Sequence, residues 1–272
     1  MTDHYAVVGN PVAHSASPQI HTEFARQTRQ DLDYVRLLAP HDGFRACMAE
    51  FRARGGKGVN VTLPFKLEAY QLATRRNERA EHAQAVNTLT FEDEAVFGDN
   101  TDGAGLVRDL EINLGFALAG KRVLLMGAGG AARGVLLPLL AAKPARLTIA
   151  NRTIEKAHAL ARHFARWGQC AVSGYAELAG HSFDLVINAT AAGIGGEAAL
   201  LPDAIYAAGA LAYDMMYGKT TPFMQTAAAH GARVSDGLGM LVEQGAESFT
   251  IWRGVRPDTA PVIAKLRAGL LS

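Results

Sequence analysis

Apolar residues cluster in short runs along the chain, and the stretches between these runs carry apolar residues at helical spacing. Residues 123–126 have no polar face, which is typical of a strand buried on both sides of a parallel sheet. Further strands are predicted at residues 5–8, 33–38, 59–62, 85–91, 95–97, 146–150, 184–188, 210–214 and 233–234. Helices are predicted at residues 19–27, 41–54, 106–114, 131–140, 240–252 and 258–270. This alternation predicts an α/β fold whose sheet is at least partly parallel.

A glycine-rich turn joins the apolar run at 123–126 to a helix rich in Ala and Leu. Gly127 and Gly129 let backbone N–H groups approach a ligand closely, and the N-terminus of the following helix favours phosphate. With Ala132 in the last place, the turn fits the dinucleotide fingerprint G-x-G-x-x-A. Glycine-rich turns are common, so the prediction depends on the position of this turn between a strand and a helix.

The end of the next predicted strand distinguishes between the two nicotinamide dinucleotides. In an NAD enzyme an Asp or Glu closes this strand and bonds the ribose 2′-hydroxyl. Here Asn151, Arg152 and Thr153 follow the strand, and Lys156 comes one turn later. Cations at this place attract a 2′-phosphate, so the pattern favours NADP. The alternative interpretation is that Arg152 is an arginine at an ordinary helix start, without a role in cofactor binding.

Polar side chains follow several strands of the first hundred residues. Ser15 and Ser17 lie after the first strand and beside a predicted helix N-terminus, where two hydroxyls can cradle a carboxylate. Thr62 at the end of the strand predicted at 59–62, and Lys66 just past it, are placed in the same way. Lys66 falls in the first turn of a helix, where the macrodipole destabilises an ammonium group, and this suits proton transfer or a hold on an anion. Because ligands of α/β sheets gather at the carboxyl ends of strands, these residues predict a binding site.

Each of these residues also has a purely structural interpretation. Ser17 fits a helix cap, Ser15 a solvated loop serine and Lys66 a surface lysine. Asp102, just before the helix predicted at 106–114, fits a helix cap that can also face a ligand. Arg75, Arg76 and Arg79 form a basic run interleaved with glutamates. This run is interpreted as a solvated helical face without function.

The composition narrows the classes of partner. A chain of 272 residues suggests one large or two ordinary domains, and 49% hydrophobic with 19% charged residues fits a soluble globular protein. Lys and Arg number 27 against 26 Asp and Glu, which gives a net charge of +1. This balance argues against nucleic acid or an anionic membrane as the main partner, so any anion site must be built locally.

The cysteines, the histidines and the apolar segments bear on disulfides, metal sites and membrane association. Cys47 and Cys170 form no C-x-x-C pair and are interpreted as reduced thiols of a cytoplasmic protein. The nine histidines show no metal-ligand spacing, so we predict no metal site. No signal peptide pattern is present, and no apolar segment approaches the roughly 18 residues of a membrane span.

Taken together, these segments resemble the shikimate dehydrogenase family. The resemblance covers nearly the whole chain, and its most specific parts are residues 14–18 (HSASP) and 60–66 (NVTLPFK). It implies reduction of 3-dehydroshikimate to shikimate in aromatic amino acid biosynthesis, with NADPH as hydride donor. It also implies two α/β domains separated by a cleft. These are a substrate-binding domain at 1–102, to which 239–272 return, and a Rossmann-type NADP-binding domain at 103–238. A homodimer is compatible with this interpretation.

The resemblance also implies roles for individual residues, with Lys66 and Asp102 as the catalytic pair. The implied substrate-binding residues are Ser15, Ser17, Thr62, Lys66, Asn87, Asp102, Tyr217 and Gln244. The implied cofactor-binding residues are Gly127, Ala128, Gly129, Gly130, Ala131, Asn151, Arg152, Thr153, Lys156, Thr190, Met215 and Gly239. The chain departs from the family pattern at Lys156, where an arginine is frequent, and at Ala191, where Ser or Pro is common.

Two alternatives are weighed against this interpretation. A quinate/shikimate dehydrogenase that prefers NAD should carry an acidic residue at the end of the second Rossmann strand, and Asn151 and Arg152 speak against it. A ligand-sensing protein that binds a dinucleotide without turnover should lack Lys66 or Asp102, and both are present.

Overall fold

The computed structural model describes residues 2–190 and 201–270. The chain forms two compact units, Met1–Gly105 with Leu241–Ser272, and Leu106–Met240. Each unit has its own six-stranded sheet covered by helices, so the predicted two-domain α/β fold is confirmed. Ala191 lies outside the described residues. Among the helices of the described ranges, none combines the length and the apolar character that crossing a membrane requires.

The first unit is built on a mixed sheet with the strand order β2-β1-β3-β5-β6-β4. Its strands are β1 (Asp3–Gly9), β2 (Leu32–Leu38), β3 (Gly56–Val61), β4 (Arg75–Arg76), β5 (Thr88–Phe91) and β6 (Val96–Asp99). β1 pairs in parallel with β2 and β3, whereas β5 runs antiparallel to β3 and β6. The chain moves from β1 to β2 on one side and then to β3 on the other. The carboxyl ends of β1 and β3 therefore form a topological switch point, where α/β sheets bind ligands.

Apolar side chains of the first unit enter cores on both faces of this sheet. Its helices are α1 (Ser17–Thr28), α2 (Phe44–Ala53), α3 (Lys66–Leu72), α4 (Glu78–Ala83) and the start of α5 (Asp102–Arg108). Successive residues of a strand point to opposite faces. Val8 of β1 therefore packs in one core with Phe44 of α2, while Val7 packs in another with Tyr34 of β2. This explains why β1 is a continuous apolar run in the sequence.

The second unit contains an entirely parallel sheet in the order β12-β11-β10-β7-β8-β9. Its strands are β7 (Arg122–Met126), β8 (Arg146–Ala150), β9 (Cys170–Ser173), β10 (Phe183–Asn188), β11 (Tyr206–Asp214) and β12 (Arg233–Ser235). Its helices are α6 (Gly130–Ala141), α7 (Ile154–Phe164) and α8 (Pro222–Ala229). Counted from β7, this is the order 3-2-1-4-5-6 of a Rossmann fold. The switch point lies between β7 and β10.

Two helices continue along the chain from one unit into the other. α5 continues into a π-helical turn, Asp109–Asn113, at the start of the second unit. α9 (Leu238–Arg253) begins in the second unit and ends in the first, where α10 (Ala260–Leu270) follows it. The helix predicted at 106–114 thus begins earlier, and Asp102 lies in its first turn.

The basic run at 75–79 is not the solvated helical face that the sequence predicts. Arg75 and Arg76 form strand β4 beside β6. Arg79 donates from Nε and Nη2 to the buried Asp99 at 3.1 and 2.6 Å, and from Nη1 to Glu247 at 2.9 Å. The prediction was wrong because the carboxylates that pair with Arg79 are distant in sequence, whereas only Glu78 and Glu81 are near it.

His21 of α1 is a buried histidine whose ring stacks on that of Tyr34, with centroids 4.2 Å apart. Burial lowers the pKa of His21 from 6.5 to about 3. The unfolded chain therefore binds one more proton at this side chain than the folded protein between these two pH values. The free energy of unfolding should consequently fall as the pH drops from 6.5 towards 3, by about 1.4 kcal/mol per pH unit from this group.

A His21→Phe variant should lose this contribution, because Phe can stack on Tyr34 but carries no titrating group. Urea denaturation of both proteins at pH 7, 6 and 5 measures the difference. We expect the free energy of unfolding to decline less steeply with falling pH in the variant. Equal slopes in the two proteins would contradict a depressed pKa at His21.

Candidate active site

Four chain segments bring polar side chains to one edge of the first unit's sheet. β1, β3 and β6 end at this edge, and the antiparallel β5 begins there. The residues that follow or precede these ends are Ser15, Ser17, Thr62, Lys66, Asn87 and Asp102. The predicted clustering at carboxyl strand ends therefore agrees with the strand topology.

Lys66 and Asp102 form an ion pair at this edge. Lys66 Nζ lies 2.6 Å from Asp102 Oδ2, and the two side chains are 28% and 16% exposed. Each residue stands in the first turn of its helix, Lys66 in α3 and Asp102 in α5. The carboxylate offsets the unfavourable position of the ammonium group at a helix N-terminus. A partly shielded pair of this kind attracts more strongly than a fully solvated one.

Asn87 holds the second oxygen of the same carboxylate. Its Nδ2 donates to Asp102 Oδ1 at 2.8 Å and to Gln244 Oε1 at 3.2 Å. Its Oδ1 accepts from the main-chain N–H of Thr101 at 2.9 Å and from the Thr88 hydroxyl at 2.9 Å. The orientation of this buried amide is therefore set by the surrounding chain. Both carboxylate oxygens of Asp102 thus have fixed partners.

Two serines lie together before and at the start of α1. Ser15 Oγ lies 3.1 Å from Ser17 Oγ and accepts the main-chain N–H of Ser17 at 3.3 Å. Ala16, rather than Ser17, is the N-cap residue, and it makes no side-chain cap. The interpretation of Ser17 as the helix cap is therefore wrong. Arg36 was not predicted to lie here, and its guanidinium donates to the Ser15 carbonyl at 3.0 and 2.6 Å.

Thr62 and Gln244 complete the polar residues of this unit that the resemblance implies. The Thr62 N–H donates to the Val8 carbonyl at 2.9 Å, which fixes it beside the end of β1. A side chain on Gly9 would come within 2.5 Å of Thr62 Cγ2, so this close approach requires glycine. Gln244 of α9 donates from Nε2 to the Leu241 carbonyl at 2.8 Å and accepts from Asn87.

A ladder of ion pairs supports this arrangement, and sequence reasoning missed it. Arg79 joins Asp99, three residues before Asp102, to Glu247 of α9. Arg256 then joins Glu247 to the fully buried Glu243, at 2.8 Å in both cases. The ladder therefore connects the segment that carries Asp102 with the helix that carries Gln244.

In the second unit the glycine turn lies at the switch point between β7 and β10. Gly127 has a φ of +105°, and a Cβ there would lie 3.1 Å from the Ala189 carbonyl oxygen. A Cβ on Gly129 or Gly130 would meet no neighbouring atom within 4 Å. The exposed start of α6 therefore leaves its N–H groups open to a phosphate, with Ala128 and Ala131 on either side. These features fit a dinucleotide.

The residues after β8 carry the charge expected for NADP. Asn151 is partly buried and donates from Nδ2 to the Thr153 carbonyl at 2.8 Å, while Arg152, Thr153 and Lys156 are exposed. Asn151 stands where an NAD enzyme has its carboxylate. An arginine and a lysine reaching into solvent can instead meet a 2′-phosphate.

The last group of implied cofactor residues lies after β10 and β11 and at the start of α9. Thr190 donates from its N–H and its hydroxyl to Asn188 Oδ1, and the Met215 N–H donates to the Asn188 carbonyl at 3.1 Å. Tyr217 is exposed to 37%. A Cβ on Gly239 would lie 1.9 Å from Asp109 Oδ1. Glycine is therefore required here by a buried carboxylate that the sequence did not indicate.

No cluster of His, Cys, Asp or Glu suited to a metal ion occurs in residues 2–190 and 201–270. Both cysteines are free. The second unit is a Rossmann fold with an open glycine turn, and the first carries a lysine–carboxylate pair at a polar sheet edge. Together these features define a dinucleotide-dependent oxidoreductase.

Comparisons with known proteins identify the family within this class. Family models match residues 7–89 (Shikimate dehydrogenase substrate binding domain), 110–194 (Shikimate / quinate 5-dehydrogenase) and 237–267 (Shikimate 5'-dehydrogenase C-terminal domain). The chain is 62% identical over 274 residues to the shikimate dehydrogenase (NADP(+)) of Dechloromonas aromatica (strain RCB), and the match covers 100% of both chains. The chain belongs to the shikimate dehydrogenase family.

Solved structures support the same conclusion. An Ael1 enzyme from Pseudomonas putida is 50% identical, with a TM-score of 0.93 over 97% of this chain and 98% of that one. Shikimate 5-dehydrogenase from Thermus thermophilus, solved in complex with NADP(H) and shikimate, is 32% identical. Its TM-score is 0.87 over 98% of this chain and 99% of that one.

Proposed function

We propose that the chain catalyses the reversible reduction of 3-dehydroshikimate to shikimate with NADPH, a step of aromatic amino acid biosynthesis. The observation that carries this proposal is the Lys66–Asp102 pair, 2.6 Å apart, at the polar edge of the first unit. The full-length relative with the NADP(+) shikimate dehydrogenase name supports both the substrate and the cofactor.

The first unit, residues 1–102 with 239–272, is the proposed substrate domain. Ser15 and Ser17 bind the substrate carboxylate through their adjacent hydroxyls, which the N-terminus of α1 assists. The ring hydroxyls are bound by Thr62, Lys66, Asn87, Asp102 and Gln244. Tyr217 is included among the substrate-binding residues because the resemblance to the family implies it. A ligand with one negative charge and several hydroxyls suits neutral donors and acceptors, because excess charge would cost desolvation.

Lys66 is the proposed proton donor. As the substrate ketone accepts a hydride, its oxygen becomes an alkoxide that must be protonated. The Lys66 ammonium group supplies this proton, and Asp102 keeps the ammonium oriented. In the reverse direction the neutral amine accepts the proton from the shikimate hydroxyl. Asn87 holds Asp102 Oδ1 and so keeps the carboxylate from rotating away from Lys66.

Residues 103–238, with Gly239, form the proposed NADP domain. Gly127, Ala128, Gly129, Gly130 and Ala131 would hold the pyrophosphate at the start of α6. Asn151, Arg152, Thr153 and Lys156 would hold the adenosine end with its 2′-phosphate. Thr190, Met215 and Gly239 would hold the nicotinamide end. When bound, NADPH supplies the hydride. The proposal includes a cytoplasmic location and is compatible with a homodimer. It includes no nucleic-acid partner because the net charge is only +1.

NADPH oxidation in the presence of 3-dehydroshikimate tests this function. We expect turnover, with kcat/KM for NADPH about 100-fold above that for NADH because charge-assisted hydrogen bonds to the 2′-phosphate are lost with NADH. A preference for NADH, with quinate oxidised as readily as shikimate, would instead support the NAD-preferring alternative. Binding of NADPH without any oxidation would support a ligand-sensing protein.

A further inference from the structure

Asp214 is a carboxylate without solvent exposure at the end of strand β11. Its Oδ2 accepts hydrogen bonds from the Thr221 hydroxyl at 2.6 Å and from Asn188 Nδ2 at 3.1 Å, and its Oδ1 accepts the Met216 N–H at 3.0 Å. These donors are an amide, a hydroxyl and a main-chain group. Within residues 2–190 and 201–270, Asp214 forms no salt bridge. Burying a polar group of this kind is costly unless it is hydrogen-bonded, so the position of each donor is constrained.

Asn188 stands opposite Asp214 in the pairing of β10 with β11. Its side chain connects two loops, because Nδ2 donates to Asp214 while Oδ1 accepts the N–H and the hydroxyl of Thr190 at 3.1 and 2.7 Å. The Asn188 carbonyl accepts the Met215 N–H at 3.1 Å. The side chains of Asp214 and Asn188 therefore fix the conformations of the segments 188–190 and 214–216 together.

The segment after Asp214 is also closely packed on its other side. The Met216 carbonyl accepts the Gly237 N–H at 2.8 Å, and a Cβ on Gly237 would come within 2.4 Å of the Met215 carbonyl oxygen. The backbone at 215–216 thus lies between Asp214 and Gly237 with little room to relax. A change in the hydrogen bonds at Asp214 must move this segment or break the contact.

We propose that Asp214 is a positioning residue for the nicotinamide half of the cofactor. The inference rests on the proposed function, in which Thr190 and Met215 bind that half. Asp214 itself has no exposed surface with which to contact a cofactor. It holds, through Asn188 and the Met216 N–H, the two segments that do, whereas the adenosine half is bound by Arg152 and Lys156 at the end of another strand, β8.

The Asp214→Asn variant separates this role from a general structural one. Asn keeps the size of the side chain but replaces one acceptor with an NH2 group that faces other donors. We expect NADP+ binding to weaken about 10-fold and kcat at saturating NADPH to fall about 100-fold, since small misplacements of the reacting group have effects of this size. Binding of 2′,5′-ADP, the adenosine fragment with its 2′-phosphate, should change less than about threefold. Fluorescence or calorimetric titration measures both ligands.

Two further variants keep the test decisive if Asp214→Asn fails to fold. Thr221→Val removes the hydrogen bond to Asp214 together with the cap bond from the Met224 N–H of α8, and it should weaken NADP+ binding but not 2′,5′-ADP binding. Thr221→Ser keeps both hydrogen bonds and should bind NADP+ as the wild type does. Thr148→Val is the matched control. Thr148, on strand β8 of the same unit, is also a buried threonine, and its hydroxyl has no partner among the described residues. This control should bind both ligands as the wild type does.

Equal weakening for NADP+ and 2′,5′-ADP would overturn the proposal, because it would show a general structural role. Unchanged binding of both ligands together with unchanged kcat would overturn it as well. Failure of the proposed function would give a result that differs from both of these. The wild-type protein would then not oxidise NADPH with 3-dehydroshikimate, while the comparison of the two ligands would still report on Asp214.

Discussion

Replacing Lys66 with alanine is expected to lower kcat by about 1,000-fold, since general acid catalysis contributes factors of this order. KM for 3-dehydroshikimate should change only a few-fold, because the serines, Thr62 and Gln244 remain in place. A loss confined to kcat indicates an interaction that is made mainly in the transition state. Steady-state measurements with saturating NADPH provide both constants.

Lys57→Ala is the matched control for this variant. Lys57 lies on β3, the strand that leads into the Lys66 segment, but its side chain is exposed and belongs to no part of the proposed site. Its loss should leave both constants unchanged. A Lys66→Ala protein with nearly normal kcat would contradict the assignment of Lys66 as proton donor. A Lys66→Ala protein with a much larger KM and normal kcat would make Lys66 a binding residue only.

Much of the polar edge of the first unit could be predicted because it depends on local patterns. An apolar run indicated β1 and the valines around Asn60 indicated β3, and turn-forming residues indicated where both strands end. Ser15, Thr62 and Lys66 follow such ends, and parallel strands bring their carboxyl ends to one edge. The same reasoning placed the glycine turn between β7 and α6. In each case a residue's place followed from its own neighbours in sequence.

The parts that could not be predicted depend on contacts between distant residues. Gly239 must be glycine because Asp109 lies against it, and no local pattern connects these two positions. Arg79 pairs with Glu247 across 168 residues. Strand β9 (Cys170–Ser173) was also missed, since it is short and lies at the edge of the sheet, where its partly exposed side chains give no clear period.

The exposed cations after β8 lead to the second large expected effect. Replacing Arg152 and Lys156 together with alanine should lower kcat/KM for NADPH by about 100-fold, because charge-assisted hydrogen bonds to a phosphate contribute about 1.5–3 kcal/mol each before solvent screening. kcat/KM for NADH should stay within a few-fold of the wild-type value, since NADH carries no 2′-phosphate. Initial rates with each coenzyme, at subsaturating concentration and with 3-dehydroshikimate in excess, measure the two constants.

NADH serves as an internal control, because a misfolded protein would lose activity with both coenzymes equally. Arg162→Ala adds a control for net charge, since Arg162 is a cation in the last turn of α7, whose first turn carries Lys156. Salt screening provides an independent test. Raising the salt concentration should lower kcat/KM for NADPH in the wild type but have much less effect on the double variant. A double variant that keeps the wild-type kcat/KM for NADPH, or a salt dependence that survives in it, would contradict recognition of the 2′-phosphate by Arg152 and Lys156.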